Sequence, residues 1–128
     1  MTWYLDSSAI LKLIFQEDES AALVRSIKGQ CATSSISRIE VVRIVQRANP
    51  ESLNFAKTEL SRLILIPISE VVIRIAESFA GLATLRSLDA IHVASALLIQ
   101  NSIDGLITYD LQMARNAQEL GLVVHSPT

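Results

Sequence analysis

The sequence has 128 residues, half of them hydrophobic, and a mean hydropathy of +0.38, which suits one compact domain over residues 1–128. Its net charge of −2 and pI near 5.6 argue against a protein that holds nucleic acid through a broadly basic surface. A single cysteine, Cys31, excludes an internal disulfide. With no secretory leader and no apolar run of about 20 residues, a cytoplasmic protein without a membrane span is expected.

Short apolar runs alternate with amphipathic segments along the whole chain, separated by single glycines, prolines and capping residues. In chain order, these patterns predict a strand at residues 3–5, helices at 9–15 and 17–29, a strand at 30–34, helices at 37–48 and 53–63, a strand at 64–66, helices at 69–84 and 87–100, a strand at 105–108, a helix at 110–120 and an edge strand at 122–125.

The spacing of apolar residues also predicts which helix faces are buried. The segment at residues 87–100 is apolar nearly all round, which is typical of a central helix, and residues 64–66 have the β-branched density of a buried strand. The predicted core positions of the other helices are Leu23, Val24, Ile27, Val41, Ile44, Val45, Ala48, Leu53, Ala56, Leu60, Leu63, Val72, Ile75, Ala76, Phe79, Leu82 and Ala83.

Strands that alternate with helices, with no two-residue hairpin turn between them, indicate a parallel sheet covered on both faces. The fold class predicted is therefore α/β: a three-layer α/β/α sandwich with a four- to five-stranded parallel sheet. In such a sheet the residues that follow each strand meet at one edge, where ligands bind.

Four acids, Asp6, Glu40, Asp89 and Asp110, lie just past a predicted strand or in the first turn of a predicted helix. At a common sheet edge their like charges would raise one another's pKa values unless a cation neutralised them. Oxygen ligands without a His or Cys cluster favour Mg²⁺ or Mn²⁺ over zinc. Such ions activate water for attack on a phosphodiester.

Each of these acids also has a purely local explanation. Asp6 can tie a turn, Asp110 can cap a helix, and Asp89 can complement the helix dipole behind a capping Ser87. Glu40 stands three residues after Ser37, as in a capping box, and Arg43 and Arg47 could pair with it on a solvated face. The residues alone leave both interpretations open.

Four segments resemble the successive motifs of PIN-domain ribonucleases, in particular the VapC-type toxins of toxin-antitoxin pairs. They are Asp6-Ser7-Ser8-Ala9, Ser35 through Val42, Leu88-Asp89-Ala90-Ile91-His92-Val93-Ala94, and Ile107-Thr108-Tyr109-Asp110. The resemblance implies a Mg²⁺- or Mn²⁺-dependent endoribonuclease in which Asp6, Glu40, Asp89 and Asp110 are catalytic metal ligands and Ser7 and Thr108 support them. It also implies a small antitoxin partner whose C-terminal segment lies over the acidic groove.

Several other side chains are given structural roles. His92 is interpreted as a packed histidine that bonds the backbone, and Cys31 as a small core residue. Arg86 either neutralises Asp89, holds a phosphate or lies free on the surface. The remaining cations near the acids are interpreted as solvated helix faces rather than RNA contacts; these are Lys12, Arg38, Arg43 and Arg47.

Exposed apolar positions on the first two helices, such as Ile10, Leu13 and Phe15, are expected to accept the antitoxin or to form a homodimer. Two alternatives to a nuclease remain. One is a catalytically silent module of the same fold. The other is a phosphoaspartate-type hydrolase or receiver, which the sequence disfavours because Ser8 stands where a second Asp is needed and no Lys follows Lys57.

Overall fold

Five parallel strands form one sheet in the computed structural model, which describes residues 2–79, 81–82 and 84–128. The strand order is β3-β2-β1-β4-β5, so that β1 lies at the centre. Leu5 of β1 pairs with Ile107 of β4, and Tyr4 of β1 pairs with Ala32 of β2. The strands are β1 (Trp3–Leu5), β2 (Ala32–Ser34), β3 (Ile64–Ile66), β4 (Gly105–Ile107) and β5 (Val124–His125).

Seven α-helices in the described residues connect and cover these strands. They are α1 (Ser7–Ile14), α2 (Ser20–Ser26), α3 (Ile36–Ala48), α4 (Leu53–Ser61), α5 (Glu70–Glu77), α6 (Ser87–Leu98) and α7 (Leu111–Glu119). Short 3₁₀ turns at Pro50–Ser52 and Gln100–Ser102 precede α4 and follow α6. None of the helices within the described ranges has the length and apolar character required to cross a bilayer.

Two buried clusters, one on each face of the sheet, establish the three-layer architecture. Tyr4 and Leu106 point into a cluster with α5, α6 and α7, whereas the adjacent Leu5 and Ile107 point into a cluster with α1 to α4. This alternation follows from the two-residue repeat of side chains along a strand. The predicted α/β/α sandwich is therefore confirmed, with five strands.

The predicted buried faces were partly wrong. Val41 and Val45 of α3 are buried, but Ile44 is exposed, as is Ala48. Val24 of α2 is 59% exposed. Periodicity identifies an apolar stripe, but how much of that stripe a neighbouring element covers depends on the packing. Residues 64–66 likewise form an edge strand rather than a buried one, with Ile64 46% exposed.

Two helix boundaries also differ from the prediction. The helix predicted at residues 69–84 ends at Glu77, where the Ser78 hydroxyl and amide bond the carbonyl of Ile75. Tight turns then keep Phe79 and Leu82 against the core, so the apolar pattern continues without a helix. The predicted core residue Ala83 lies outside the described residues. Ser87 is the first residue of α6 and not its cap.

Of the apolar positions predicted to be exposed on the first two helices, Ile10 was wrongly predicted. Ile10 is fully buried in the core, and Leu13 and Phe15 are half-buried and pack against the same cluster. Ile10 therefore packs in the interior, whereas Leu13 and Phe15 keep part of their surface exposed. The largest exposed apolar side chains near the carboxyl edge of the sheet belong instead to α3, α6 and α7: Ile39, Ile44, Leu88 and Leu111.

Candidate active site

Three of the four predicted acids stand at helix N-termini beside the carboxyl edge of the sheet. Asp6 follows β1 and caps α1, Asp110 follows β4 and caps α7, and Asp89 lies in the first turn of α6. Since β1 and β4 are paired neighbours, the segments around Asp6 and Thr108 meet despite the distance between them in sequence. Glu40 approaches from the second turn of α3.

Asp6 is almost completely buried, and both of its carboxylate oxygens accept hydrogen bonds. Oδ1 accepts from the Ser8 hydroxyl at 2.6 Å and the Ala9 amide at 2.9 Å, and Oδ2 accepts from the Thr108 hydroxyl at 2.5 Å. Burial raises the pKa of Asp6 above its usual value, although these three hydrogen bonds oppose the rise. The hydrogen bonds therefore stabilise the charged carboxylate of Asp6 but do not fully offset the cost of burying it.

Glu40 is held by side chains from two other helices. Its Oε1 accepts hydrogen bonds from Ser7 Oγ of α1 at 2.6 Å and from His92 Nε2 of α6 at 2.8 Å. Burial alone would raise the pKa of Glu40, but the hydrogen bonds from His92 and Ser7 outweigh it and lower the pKa. Glu40 is thus held as a carboxylate, and this contact of Ser7 is the kind expected of a supporting residue.

The capping-box interpretation of Glu40 is wrong. Helix α3 begins at Ile36, and Ser37 points its hydroxyl toward Thr33 Oγ1, 2.7 Å away, rather than toward the helix N-terminus. Within the described residues Glu40 forms no ion pair with Arg43 or Arg47. The side chain of Glu40 is therefore directed into the site by tertiary contacts.

His92 is buried, as predicted, but within residues 2–79, 81–82 and 84–128 its hydrogen bonds go to side chains and not to the backbone. Its Nδ1 lies 2.8 Å from the Tyr4 hydroxyl, and its Nε2 contacts Glu40 and, at 3.4 Å, Ser7 Oγ. Sequence reasoning missed this connection to the site. The only local signal was the three-residue separation from Asp89, which places both side chains on one side of α6.

Asp89 is the acid most affected by the others. Its pKa is raised first by burial and then by the carboxylate of Asp110, with smaller contributions from Asp6 and Glu40 that His92 partly offsets. Asp110 is exposed; its Oδ1 caps α7 by accepting from the Met113 amide at 3.0 Å, as predicted. The four acids therefore share one electrostatic environment.

The cations near the site differ in their partners. Lys12 contacts Glu17 and Glu19 and lies 5.0 Å from the centroid of the Tyr109 ring. The other predicted solvated cations, Arg38, Arg43 and Arg47, are exposed, as is Arg86. Cys31 is buried at the start of β2, in agreement with its predicted core role.

With the fold and the acidic edge established, comparison with known proteins identifies the family. The profile of the PIN domain matches residues 3–119. The chain belongs to the PIN-domain family. Ribonuclease VapC47 of Mycobacterium tuberculosis (strain CDC 1551 / Oshkosh) is 39% identical to it over 131 residues, which cover 97% of this chain and 96% of the relative. Ribonuclease VapC46 of strain ATCC 25618 / H37Rv is 35% identical over 98% and 97%, respectively.

Among solved structures, this PIN domain is similar to a toxin-antitoxin complex from Klebsiella pneumoniae. The TM-score is 0.71 at 22% identity, over 84% of this chain and 85% of that chain. At this identity the likeness shows the fold alone. The full-length similarity to proteins named Ribonuclease VapC places the chain among the VapC members of the PIN-domain family.

The donor chemistry of this PIN domain fits a hard divalent cation. The candidate ligands are all carboxylate oxygens, and the pKa of Asp89, raised first by burial, is raised further by neighbouring acids whose charge a cation would neutralise. In the part of the chain that the structure describes, no three Asp, Glu, His or Cys side chains are close enough to enclose a metal. Mg²⁺ does not require such a cage, because it keeps several waters and takes one or two carboxylates.

Proposed function

We propose that this protein is a Mg²⁺- or Mn²⁺-dependent endoribonuclease and the toxin of a type II toxin-antitoxin pair, acting as one cytoplasmic PIN domain over residues 1–128. The observation that carries the proposal is the gathering of Asp6, Glu40, Asp89 and Asp110 into one electrostatic environment at the carboxyl edge of the sheet. The ribonuclease names of the full-length relatives support the RNA substrate.

In the proposed mechanism, Asp6 and Asp89, with Glu40 and Asp110, hold the ion directly or through water. A divalent cation supplies two kinds of chemistry there: it lowers the pKa of a bound water and offsets charge on the scissile phosphate. Thr108 and Ser8 hold the Asp6 carboxylate through their hydroxyls.

The central test is cleavage of RNA by the purified protein after chelation and after addition of Mg²⁺ or Mn²⁺. Asp6→Asn and Asp89→Asn should each lower the rate by at least about a hundredfold. The matched control Asp18→Asn, at an exposed loop position, should cleave at the wild-type rate. Metal-independent cleavage, or activity that survives both active-site substitutions, would refute the proposal.

The products provide a second test of the same mechanism. Because the nucleophile is water rather than the ribose 2′-hydroxyl, the cut ends should carry no 2′,3′-cyclic phosphate. An RNA with a single 2′-deoxy nucleotide at the cleavage site should still be cut. Cyclic phosphate ends would instead point to attack by the 2′-hydroxyl and would exclude this use of the acids.

We also propose a small antitoxin and a second copy of the chain as protein partners. The similarity to a toxin-antitoxin complex supports the antitoxin. Because Ile10 is buried, we place the homodimer surface on the exposed apolar side chains Ile39, Ile44 and Leu88. Sedimentation of the protein and of an Ile39→Glu variant tests this: the wild type should be dimeric and the variant monomeric.

A silent binding module of the same fold remains the second candidate, since a PIN domain without activity would bind its partners equally well. The charged state of Glu40, maintained by two hydrogen bonds, favours the enzyme, because a silent module has no need for an oriented carboxylate beside three others. Absence of metal-dependent cleavage on any RNA would favour the silent module.

A further inference from the structure

A chain of three buried or half-buried polar side chains runs from the centre of the sheet to the acidic site. Tyr4 lies on the central strand and is fully buried, His92 on α6 is 1% exposed, and Glu40 on α3 borders the site. The Tyr4 hydroxyl contacts Nδ1 of His92, and Nε2 of His92 contacts Oε1 of Glu40, each at 2.8 Å. Among the described residues both hydrogen bonds to Glu40 fall on Oε1.

The partners of the ring determine which nitrogen carries the proton. An ionised carboxylate only accepts hydrogen bonds, so Nε2 of His92 must be the donor toward Glu40. The Tyr4 hydroxyl can donate or accept, so it pairs with the other ring nitrogen, Nδ1, at 2.8 Å. Because Tyr4 is fixed in β1, this bond fixes the ring plane and directs the Nε2–H at Glu40.

Glu40 needs this restraint because its own helix offers a competing partner. Glu40, Arg43 and Arg47 line the same groove on α3 and α6. Arg43 is three residues along the helix from Glu40, which is the spacing at which side chains on a helix surface interact. Without the donor from α6, the Ser7 hydroxyl at 2.6 Å would be left to hold the Glu40 carboxylate against turning toward these cations.

We propose that His92 is a positioning residue: anchored by Tyr4 and protonated on Nε2, it holds the Glu40 carboxylate at the metal site. The inference rests on the proposed function, because it takes Glu40 as a ligand. It gives His92 a role that is exerted through Glu40. It also gives Tyr4, on strand β1, a role that is exerted through His92. In metal sites, mutation of a partner that orients a ligand typically lowers metal affinity by about 10- to 100-fold.

The first test is ¹⁵N NMR of the histidine rings in the wild-type protein, with and without Mg²⁺. His92 should show a protonated Nε2 and a hydrogen bond between Nδ1 and the Tyr4 hydroxyl. Tyr4→Phe should move the Nδ1 resonance and leave His125 unchanged. A ring protonated on Nδ1 alone would overturn the proposal, and this result does not depend on any nuclease activity.

The second test measures binding of Mn²⁺ alone. His92→Leu should weaken Mn²⁺ binding by about 10- to 100-fold, whereas His92→Gln, whose amide N–H reaches the position of Nε2, should stay within about threefold of wild type. The matched control is His125→Gln, because His125 is exposed on β5, where its ring meets the Trp3 ring in a T-shaped contact. It should bind Mn²⁺ as the wild type does.

The variants separate this inference from the proposed function. If Asp6→Asn abolishes Mn²⁺ binding while His92→Leu and Tyr4→Phe both bind like wild type, the positioning role is refuted and the metal site stands. If the wild type itself binds no Mn²⁺, the proposed metal site fails, and the NMR result alone decides the arrangement of His92. Should His92→Leu fail to fold, the more conservative Tyr4→Phe carries the test, with an expected weakening of at least about threefold.

Discussion

Removal of the Thr108 hydroxyl tests the structure of the candidate site most directly. Thr108 is buried at the end of β4, where its Oγ1 donates to Oδ2 of Asp6 and accepts from the Asp110 amide at 3.1 Å. Thr108→Val has nearly the same shape but no hydroxyl, so it deletes both hydrogen bonds without opening a cavity. It leaves a buried carboxylate oxygen of Asp6 without its donor.

The expected cost follows from these two bonds. A hydrogen bond to a charged group contributes about 1.5–3 kcal/mol and an ordinary one about 0.5–1.5 kcal/mol, so Thr108→Val should lower the free energy of unfolding by about 2–4.5 kcal/mol. For a chain of this length that corresponds to a fall in Tm of about 6–20 °C. The lost donor served the ionised form of Asp6, so the deficit should grow as pH rises through the raised pKa of Asp6.

The assay is urea unfolding of the metal-free protein at pH 4 and pH 8, with Thr108→Ser as the matched control. Serine keeps the hydroxyl and loses only a methyl group, which should cost about 0.5–1.5 kcal/mol. Combined with Asp6→Asn, Thr108→Val should cost less than it does in the wild type, because the two residues act through one bond. Equal costs for Val and Ser, or strict additivity with Asp6→Asn, would refute the reasoning.

Three further outcomes can be measured by unfolding. Asp89→Asn should raise the stability of the metal-free protein by less than about 1 kcal/mol at pH 7, because it removes a charge that burial and the neighbouring carboxylates disfavour and that solvent partly screens. Since the folded-state pKa of Asp89 is raised, that gain should vanish below the ordinary carboxyl pKa; a gain independent of pH would contradict the electrostatic cause. Tyr109→Phe removes the hydrogen bond from its hydroxyl to the Pro127 carbonyl and should cost about 0.5–1.5 kcal/mol, with faster amide exchange in β5 as its signature. Gly105→Ala should cost about 1–3 kcal/mol, because the added Cβ would lie 2.6 Å from the Val123 carbonyl oxygen; wild-type stability would show that β5 shifts freely.

The sheet was predictable because its strands are short apolar runs bounded by strong local signals. β1 and β3 have the predicted bounds, and Asp6 and Asp110 are N-caps as expected of an acid between a strand and a helix. Because the strands are predicted to be parallel, Asp6 and Asp110 are predicted to lie at the same edge of the sheet. These predictions needed only patterns that extend over a few residues and the rule that strands alternating with helices form a parallel sheet.

The environment of Glu40 and His92 was not predictable in the same way. The capping box is a local pattern, and it competed with contacts to α1 and α6 that are 33 and 52 residues away in sequence. Glu40 makes the tertiary contacts rather than a capping box because the Ser37 hydroxyl hydrogen-bonds the Thr33 hydroxyl. The exposure of Ile44 was also not predictable from local sequence, because it depends on where α4 and α6 lie.

Capping and metal binding, treated as rivals when the sequence is considered alone, are compatible in the folded protein. An aspartate at a helix N-terminus gains amide hydrogen bonds and a favourable dipole, which lowers the cost of gathering acids before any cation arrives. Asp6 and Asp110 have this support, and Ser7 and His92 provide it for Glu40. Among the described residues, Asp89 accepts no hydrogen bond and has only its place in the first turn of α6. Asp89 is therefore the acid on which neutralisation by a cation would act most strongly, and the one whose substitution should separate stability from activity most clearly.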